Sequence, residues 1–254
     1  MGIDDVTEMW DRVTGIQQAP AVWLVIATGL VALAVVGIRG SWRFARNAVT
    51  IAHEGGHALM ALLTGRQLQG IRLHSDTSGL TVSRGKPTGL GMVLTAAAGY
   101  TAPPLLGLGG AWLLQSGRIT ALLWGTTALL LALLVMVRNT YGVLSVVATG
   151  SVFILVSWLT PGEVQALFAY AVVWFLLLGG ARPVFELQAR RRRDRGRVPV
   201  VPGASGAAGA AGAPDSDADQ LARLTNVPPL GWLLFFHAVA LCSLVGGGSW
   251  LLGL

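Results

Sequence analysis

The stretch Ile119-Thr-Ala-Leu-Leu-Trp-Gly-Thr-Thr-Ala-Leu-Leu-Leu-Ala-Leu-Leu-Val-Met-Val137 contains no charged residue. A helix needs about 20 apolar residues to cross the hydrocarbon core of a bilayer, so this stretch alone is long enough. Blocks of the same character lie on both sides of it and further along the chain, at residues 20–38, 47–64, 88–115, 142–159, 164–180 and 230–254. We therefore predict an all-α, multi-spanning membrane protein with about six to seven transmembrane helices.

The composition favours this class and argues against others. Of the 254 residues, 53% are hydrophobic and only 12% are charged, whereas soluble domains carry about 25% charged residues. The formal net charge is +6, but the basic residues lie mostly in short segments between apolar blocks, as membrane orientation requires. We therefore expect a lipid bilayer as a partner and no nucleic acid. Acidic residues precede the first block, which we expect to remain as an anchor because a signal peptide opens with positive charge.

The positions of the basic residues predict an orientation. If every block crosses the membrane and the N-terminus is cytoplasmic, residues 66–86, Arg138 and the run Arg190–Arg193 lie on the cytoplasmic side, where basic residues concentrate. The arginines of residues 39–46 then lie on the outer side, against this rule, unless the second block does not cross. We expect the N-terminus and the 186–229 loop to be cytoplasmic.

Residues 186–229 form the longest break between apolar blocks. The break starts with the basic run Arg190–Arg193 and continues as a Gly/Ala/Pro-rich stretch that lacks the larger apolar groups needed for a core. Ser216 and Asp219 then have nearly the spacing of a capping box at the start of a short helix. The predicted organisation is a membrane domain (1–185), a flexible linker (186–215), and a short surface helix followed by the last transmembrane helix (216–254).

A different pattern fills residues 66–86. Ile71, Leu73, Leu80 and Val82 alternate with polar residues on the two sides of Ser78-Gly79. Period-two alternation around a turn predicts a β-hairpin. Two roles remain open for it: a simple surface turn, or an edge to which an extended substrate can add as a further strand.

The second apolar block contains the segment Ile51-Ala-His-Glu-Gly-Gly-His-Ala-Leu-Met60. In a helix, His53 and His57 lie four residues apart on one face, so both can direct a ring nitrogen at one ion. Glu54 lies at the edge of that face, placed to act on a metal-bound water. This is the HExxH arrangement of zinc hydrolases. We predict a helix over about residues 47–64 that carries it.

The cost of these groups in an apolar block favours a functional role. An acidic residue at the centre of a transmembrane helix costs roughly 2.5–3.5 kcal/mol, and ionisable groups in such helices usually mark functional sites. The alternative is a buried polar cluster that binds no metal. Gly55 and Gly56 also cost about 1 kcal/mol each relative to Ala in a helix, and small residues of this kind permit another helix to approach closely.

The HExxH segment, followed by a hairpin and a helix rich in small residues, resembles the site-2 proteases, which are intramembrane zinc metalloproteases. More narrowly, it resembles their peptidase M50B-like branch. Three further stretches are similar to that branch: LHSDTSGLT (73–81), AAAGYTAP (96–103) and SDADQLA (216–222). The resemblance implies Zn²⁺ as the cofactor, His53 and His57 as metal ligands, Glu54 as the catalytic base, and the plasma membrane of a bacterium as the location.

The third zinc ligand is unassigned at this stage. The family pattern supplies an Asp within an Asp-Gly motif in a later span, and this chain contains no Asp-Gly dipeptide. Asn139 lies at about the right place in span order, but an amide is a poor zinc ligand and the residue can instead cap a helix. Asp217 has suitable chemistry and is followed by the small Ala218, although it can instead provide favourable charge at a helix N-terminus. Glu163, at the start of a span, and His74, in the hairpin, are weaker candidates, and the third ligand stays open.

The function predicted from these residues is hydrolysis of peptide bonds in membrane-embedded protein substrates, by zinc-activated water with Glu54 as general base. One alternative is a protease-like membrane scaffold or binding protein that does not cleave. Another is a transporter, which more typically shows repeated halves that this sequence lacks. No loop other than the linker is long enough for an adaptor domain. Substrate selection is therefore expected to use the membrane region, the hairpin, or a separate regulator or adaptor.

Overall fold

A computed structural model describes residues 15–195 and 216–254 of the chain. Within these ranges the protein is mostly helical and contains one small antiparallel sheet, as predicted. The elements in chain order are α1 (Val22–Gly37), α2 (Arg39–Leu63), β1 (Gln67–Leu73), β2 (Gly79–Arg84), α3 (Leu90–Gln115), α4 (Ile119–Met136), α5 (Thr140–Leu159), α6 (Gly162–Arg195), α7 (Asp217–Thr225) and α8 (Pro229–Leu252).

Among the described residues, four helices are long and apolar enough to cross a membrane: α4, α5, α6 and α8. Helices α1 and α2 pass the same test only as a pair, and they are bent by 100° at the break between them. These helices make the chain an integral membrane protein with four to five candidate spans. The count of six to seven spans stays a prediction.

Helix α3 is the centre of the bundle and packs against α2, α6 and α8. Its small residues permit this close packing. A Cβ added to Gly107 would lie 2.9 Å from Cγ of Leu177 in α6, and one added to Gly180 of α6 would lie 2.7 Å from Cδ of Pro104. Pro103 and Pro104 lie inside the helix without ending it. The small residues of α3 therefore allow neighbouring helices to pack closely against it, and its two prolines do not interrupt the helix.

The helix ends define two opposite faces of the bundle. At the face that we call the far face, the Gln17 N–H donates to the Gly117 carbonyl at 2.8 Å, so the segment before α1 meets the turn between α3 and α4. The other face, the site face, holds the hairpin. There the Arg138 N–H, between α4 and α5, donates to the Ile71 carbonyl of β1 at 2.8 Å.

Helix α2 begins and ends at the site face. Near its start, Nε1 of Trp42 donates to Oε1 of Glu186, in the C-terminal third of α6, at 2.9 Å. Near its end, a Cβ on Gly91 at the start of α3 would lie 3.3 Å from Cβ of Thr64. Residues from the start of α3 and the end of α6 share one buried cluster with α7. Because α2 bends by 100° away from α1, the two helices together form at most one candidate span.

The hairpin is confirmed, with its turn slightly earlier than expected. Strands β1 and β2 pair antiparallel, with Leu73 opposite Gly79. The His74 N–H donates to the Ser78 carbonyl at 2.9 Å across the turn. Gly79 therefore starts β2, whereas the sequence pattern placed it in the turn.

The two strands do not bury the same kind of side chain. Ile71 and Leu73 of β1 are fully buried, but Leu80 and Val82 of β2 are exposed by 52% and 43%. Strand β2 turns Thr81 toward α2 instead, because a polar group of α2 lies beneath it. The outer edge of β1 pairs with Val137, which leaves the outer edge of β2 without a partner strand in the described ranges.

The end of α6 and the start of α7 refine the predicted linker. Helix α6 continues to Arg195, past residue 186, since arginine is a good helix former and Glu186 is held there by Nε of Arg182 at 3.0 Å. Residues 196–215 of the predicted linker lie outside the described residues. Helix α7 starts at Asp217 and has the expected capping box between Ser216 and Asp219.

Candidate metal centre

Three side chains from α2 and α7 converge at the site face. Nε2 of His53 and Nε2 of His57 are 3.1 Å apart, and Oδ2 of Asp217 lies 3.2 Å from the first and 3.3 Å from the second. The three atoms form a nearly equilateral triangle. Among the described residues, this is the group of His, Cys, Asp and Glu side chains that could hold a metal ion.

The triangle has the size that a zinc site requires. A tetrahedron with metal–ligand bonds of about 2.0–2.1 Å has ligand–ligand edges of about 3.3–3.4 Å. All three measured distances are within a few tenths of that edge. Two imidazoles and one carboxylate are also a donor set that catalytic zinc uses, with the fourth position open. The residues present therefore fit a zinc ion in both size and chemistry.

The orientation of the His57 ring is fixed by a contact at Nδ1, the ring nitrogen that does not face Asp217. Its Nδ1 lies 2.7 Å from the carbonyl oxygen of Thr95 in α3. A backbone carbonyl can only accept, so Nδ1 donates its proton to Thr95 and Nε2 is the ring nitrogen that faces Asp217. Partners of this kind hold metal-ligating histidines in the correct tautomer and orientation.

Gly99 of α3 lies directly against the two imidazoles. A Cβ at this position would be 2.4 Å from Nε2 of His57 and 2.6 Å from Nε2 of His53. The approach of the helices is equally tight at Gly56, where a Cβ would lie 2.8 Å from the Ala98 carbonyl oxygen. Small residues in α2 and α3 thus allow the imidazoles to lie directly against the backbone of α3.

Asp217 reaches the histidines because α7 is docked in the bundle. Ala218 and Leu221 are fully buried in a cluster with Val184 of α6 and Phe236 of α8. Burial opposes ionisation of the Asp217 carboxyl, but hydrogen bonds from both histidines outweigh it and hold its pKa well below the usual range. The group is therefore a carboxylate, which is the form that binds metals.

Glu54 is buried, with 4% of its surface exposed, and it is held by the hairpin. The Thr81 hydroxyl of β2 donates to Oε2 of Glu54 at 2.7 Å. A Cβ on Gly79 would lie 2.4 Å from Oε1 of the same carboxylate, so only glycine fits there. The hairpin therefore covers Glu54 and fixes its carboxylate.

An aromatic pair closes another side of the site. The ring of Tyr100 meets the ring of His53 edge to face, with centroids 4.8 Å apart. Its other side packs against Phe236 of α8, at a centroid distance of 5.1 Å. These contacts restrict the His53 ring and link it to the cluster in which α7 docks.

The two candidates for a third ligand lie in different surroundings. Asp217 lies with the histidines, as described above. Asn139 lies between α4 and α5, where its Nδ2 donates to the Leu73 carbonyl at 2.6 Å and its Oδ1 accepts from the Leu73 N–H at 3.1 Å. The side-chain amide of Asn139 thus makes the two hydrogen bonds to Leu73 that a neighbouring strand would otherwise make.

Sequence reasoning did not identify the residues that support the site. Thr81, Thr95, Gly99 and Tyr100 touch the side chains of the HExxH segment but belong to no short catalytic pattern. Three of these lie in stretches that carried the family resemblance, 73–81 and 96–103. The similarity of these two stretches to the family is the sequence feature that could have identified the three residues.

These features define a helical membrane protein with a His-His-Asp cluster and a buried glutamate at one face. A model of the Peptidase M50B-like family matches residues 26–247. The match covers most of the chain, so the chain belongs to the peptidase M50B-like family, as the resemblance implied. No curated protein and no solved structure matches the chain.

Proposed function

We propose that this protein is an intramembrane zinc metalloprotease that hydrolyses peptide bonds of membrane-embedded protein substrates. The observation that carries the proposal is the triangle of His53, His57 and Asp217, whose edges of 3.1–3.3 Å suit tetrahedral zinc. Membership of a peptidase family supports the same class of reaction.

Zinc bound by His53, His57 and Asp217 would supply a Lewis acid and a water whose pKa is lowered toward about 7. Glu54 is the general base: its carboxylate accepts the proton of the attacking water and delivers it to the nitrogen of the leaving amine. The Thr81 hydroxyl donates to one oxygen of Glu54 at 2.7 Å and so fixes the orientation of the carboxylate. The Thr95 carbonyl accepts the Nδ1 proton of His57, so Nε2 is the ring nitrogen that would bind the metal.

The substrate would meet the site beside β2. The outer edge of this strand has no partner strand in the described ranges, and Thr81 places it next to Glu54. An extended backbone can add to such an edge through main-chain hydrogen bonds. A transmembrane substrate helix would have to unwind to do so, and a separate regulator or adaptor would control its delivery.

Removing the metal tests the proposal. Purified protein in lipid vesicles is expected to cleave a co-reconstituted membrane protein, to lose that activity after treatment with a zinc chelator, and to regain it when zinc is returned. New N-termini identified by mass spectrometry give the readout. Cleavage that survives complete removal of zinc would contradict the proposal. Zinc binding without cleavage of any membrane protein would favour the non-proteolytic scaffold instead.

We also propose that the site face lies in the cytoplasm of a bacterial cell and that residues 15–21, before α1, lie outside the plasma membrane. Because α2 returns to the site face, the arginines of residues 39–46 join the hairpin, Arg138 and the run Arg190–Arg193 there. Among the described basic residues, Arg118 is the one placed at the far face. This arrangement satisfies the positive-inside rule better than an N-terminus in the cytoplasm, which assumed that α2 crosses.

Cysteine labelling checks this orientation. In a Cys242→Ser background, Gln18→Cys is expected to react with a membrane-impermeant maleimide in intact spheroplasts. Ser75→Cys, at the exposed hairpin turn, is expected to react only after lysis. The reverse pattern would show that the N-terminus is cytoplasmic.

A further inference from the structure

The candidate metal ligands come from two distant parts of the chain. His53 and His57 are fixed together on α2, whereas Asp217 lies at the start of α7, a helix of 9 residues. A helix this short is marginal by itself in water. The position of Asp217 therefore depends on contacts that hold α7 to the bundle.

Apolar contacts set how deeply α7 packs. Ala218 and Leu221 are fully buried against α3, α6 and α8. The hydrophobic effect is non-directional, so these contacts alone permit small shifts and rotations of the helix. A shift of about 1 Å is enough to damage a site that needs precise geometry. A directional contact is needed near Asp217.

Asp219 makes that directional contact. Its Oδ2 accepts from the Ser216 hydroxyl at 2.6 Å and from the Ser216 N–H at 3.2 Å, which closes the first turn of α7 around Asp217. Its Oδ1 accepts a hydrogen bond from Nη2 of Arg191, near the end of α6. The ion pair is partly buried, with side chains 21% and 30% exposed. One carboxylate thus joins the cap of α7 to α6.

We propose that Arg191 is a positioning residue for the metal centre: through Asp219 it holds the first turn of α7 so that Asp217 meets His53 and His57. The inference rests on the proposed function. It gives one member of the basic run Arg190–Arg193 a role beyond membrane orientation. Arg192 and Arg193 are exposed neighbours in the same run, so they serve as matched controls.

The test measures zinc affinity and cleavage on purified full-length protein. Arg191→Gln is expected to weaken zinc binding about tenfold, the lower end of the effect of losing an outer partner of a metal ligand. It is expected to lower kcat with little change in KM, because the substrate edge at β2 is untouched. Arg191→Lys retains the charge and is expected to recover most of the loss. Arg192→Gln is expected to match wild type.

Asp219→Asn provides a second, independent variant. Asparagine keeps an acceptor for Ser216 but loses the charge that pairs with Arg191. The single variants and the double variant Arg191→Gln/Asp219→Asn are expected to show the same loss, because all three remove one interaction. Equal zinc affinity in Arg191→Gln and Arg192→Gln would overturn the inference, as would fully additive losses in the double variant.

Asp217→Asn separates this inference from the proposed function. If Asp217→Asn loses zinc while Arg191→Gln retains wild-type affinity, the metal site stands and the positioning role fails. If wild type binds no zinc, or Asp217→Asn binds it as wild type does, the proposed metal centre fails and the positioning role fails with it.

Discussion

Glu54→Gln is expected to abolish peptide hydrolysis and to leave the zinc content of the purified protein unchanged. Glutamine has the shape of glutamate and still offers an oxygen to the Thr81 hydroxyl, which lies 2.7 Å from Oε2 of Glu54. It cannot accept a proton near neutral pH. Loss of a general base lowers the rate by about 10²–10⁴-fold. The rate of appearance of new N-termini and the metal content of the same sample measure the two effects.

A matched control is available in Glu163→Gln. Glu163 lies in the first turn of α6, where it is exposed and outside the metal cluster. This variant is expected to keep wild-type activity and zinc. Activity that persists in Glu54→Gln would remove the role of general base and favour the scaffold interpretation. Zinc lost together with activity would instead mean that Glu54 holds the site together.

Gly99→Ala is expected to eliminate both zinc binding and activity. The added Cβ would lie 2.4 Å and 2.6 Å from the Nε2 atoms of His57 and His53, the two atoms proposed to bind the ion. Either the imidazoles or α3 must move, and Gly56 shows that α2 and α3 have no space to spare. Overpacking of this kind costs about 1–3 kcal/mol, and here the displaced atoms are the proposed ligands themselves.

Gly109→Ala is the control for this change. Gly109 lies in the same helix, and a Cβ there would meet no atom within 4 Å. Alanine is favoured over glycine in a helix by about 1 kcal/mol, so this variant is expected to be as stable as wild type or more so. Metal content by mass spectrometry and thermal unfolding compare the pair. Gly99→Ala protein with wild-type zinc affinity would contradict the geometry of the site.

The parts of the site that were predictable from sequence are those that depend on local geometry. His53 and His57 lie one helical turn apart, so their spacing alone places them on one face. The capping box of α7 was likewise visible in Ser216 and Asp219, three residues apart. Each of these inferences needs only the geometry of a single helix.

Asp217 could not be chosen over Asn139 because both depend on packing between distant segments. The docking of α7 requires Ala218 and Leu221 to fill a pocket made by three other helices. Asn139 was a candidate ligand because of its position in the order of the spans, but its amide instead pairs with both backbone groups of Leu73. Long-range contacts of this kind leave no periodic pattern in the sequence.

The path of α2 shows a similar limit. Hydropathy measures whether a block is apolar, and a helix that crosses and a helix that returns can both be apolar. The 100° bend between α1 and α2 comes from the break at Ile38, which no proline marks. The arginines of residues 39–46 were the available signal, since they violated the positive-inside rule on the simplest map.

Zinc content of purified wild type, Asp217→Ala and Asn139→Ala tests the central claim most directly. Wild type is expected to hold about one zinc per chain, as one tetrahedral site requires. Asp217→Ala is expected to lose it, as His53→Ala should, because the triangle then lacks one corner. Asn139→Ala is expected to retain zinc and to be less stable by about 1–3 kcal/mol, since the backbone groups of Leu73 lose their partner. Carefully prepared wild-type protein without zinc, or zinc lost from Asn139→Ala but kept by Asp217→Ala, would contradict the account.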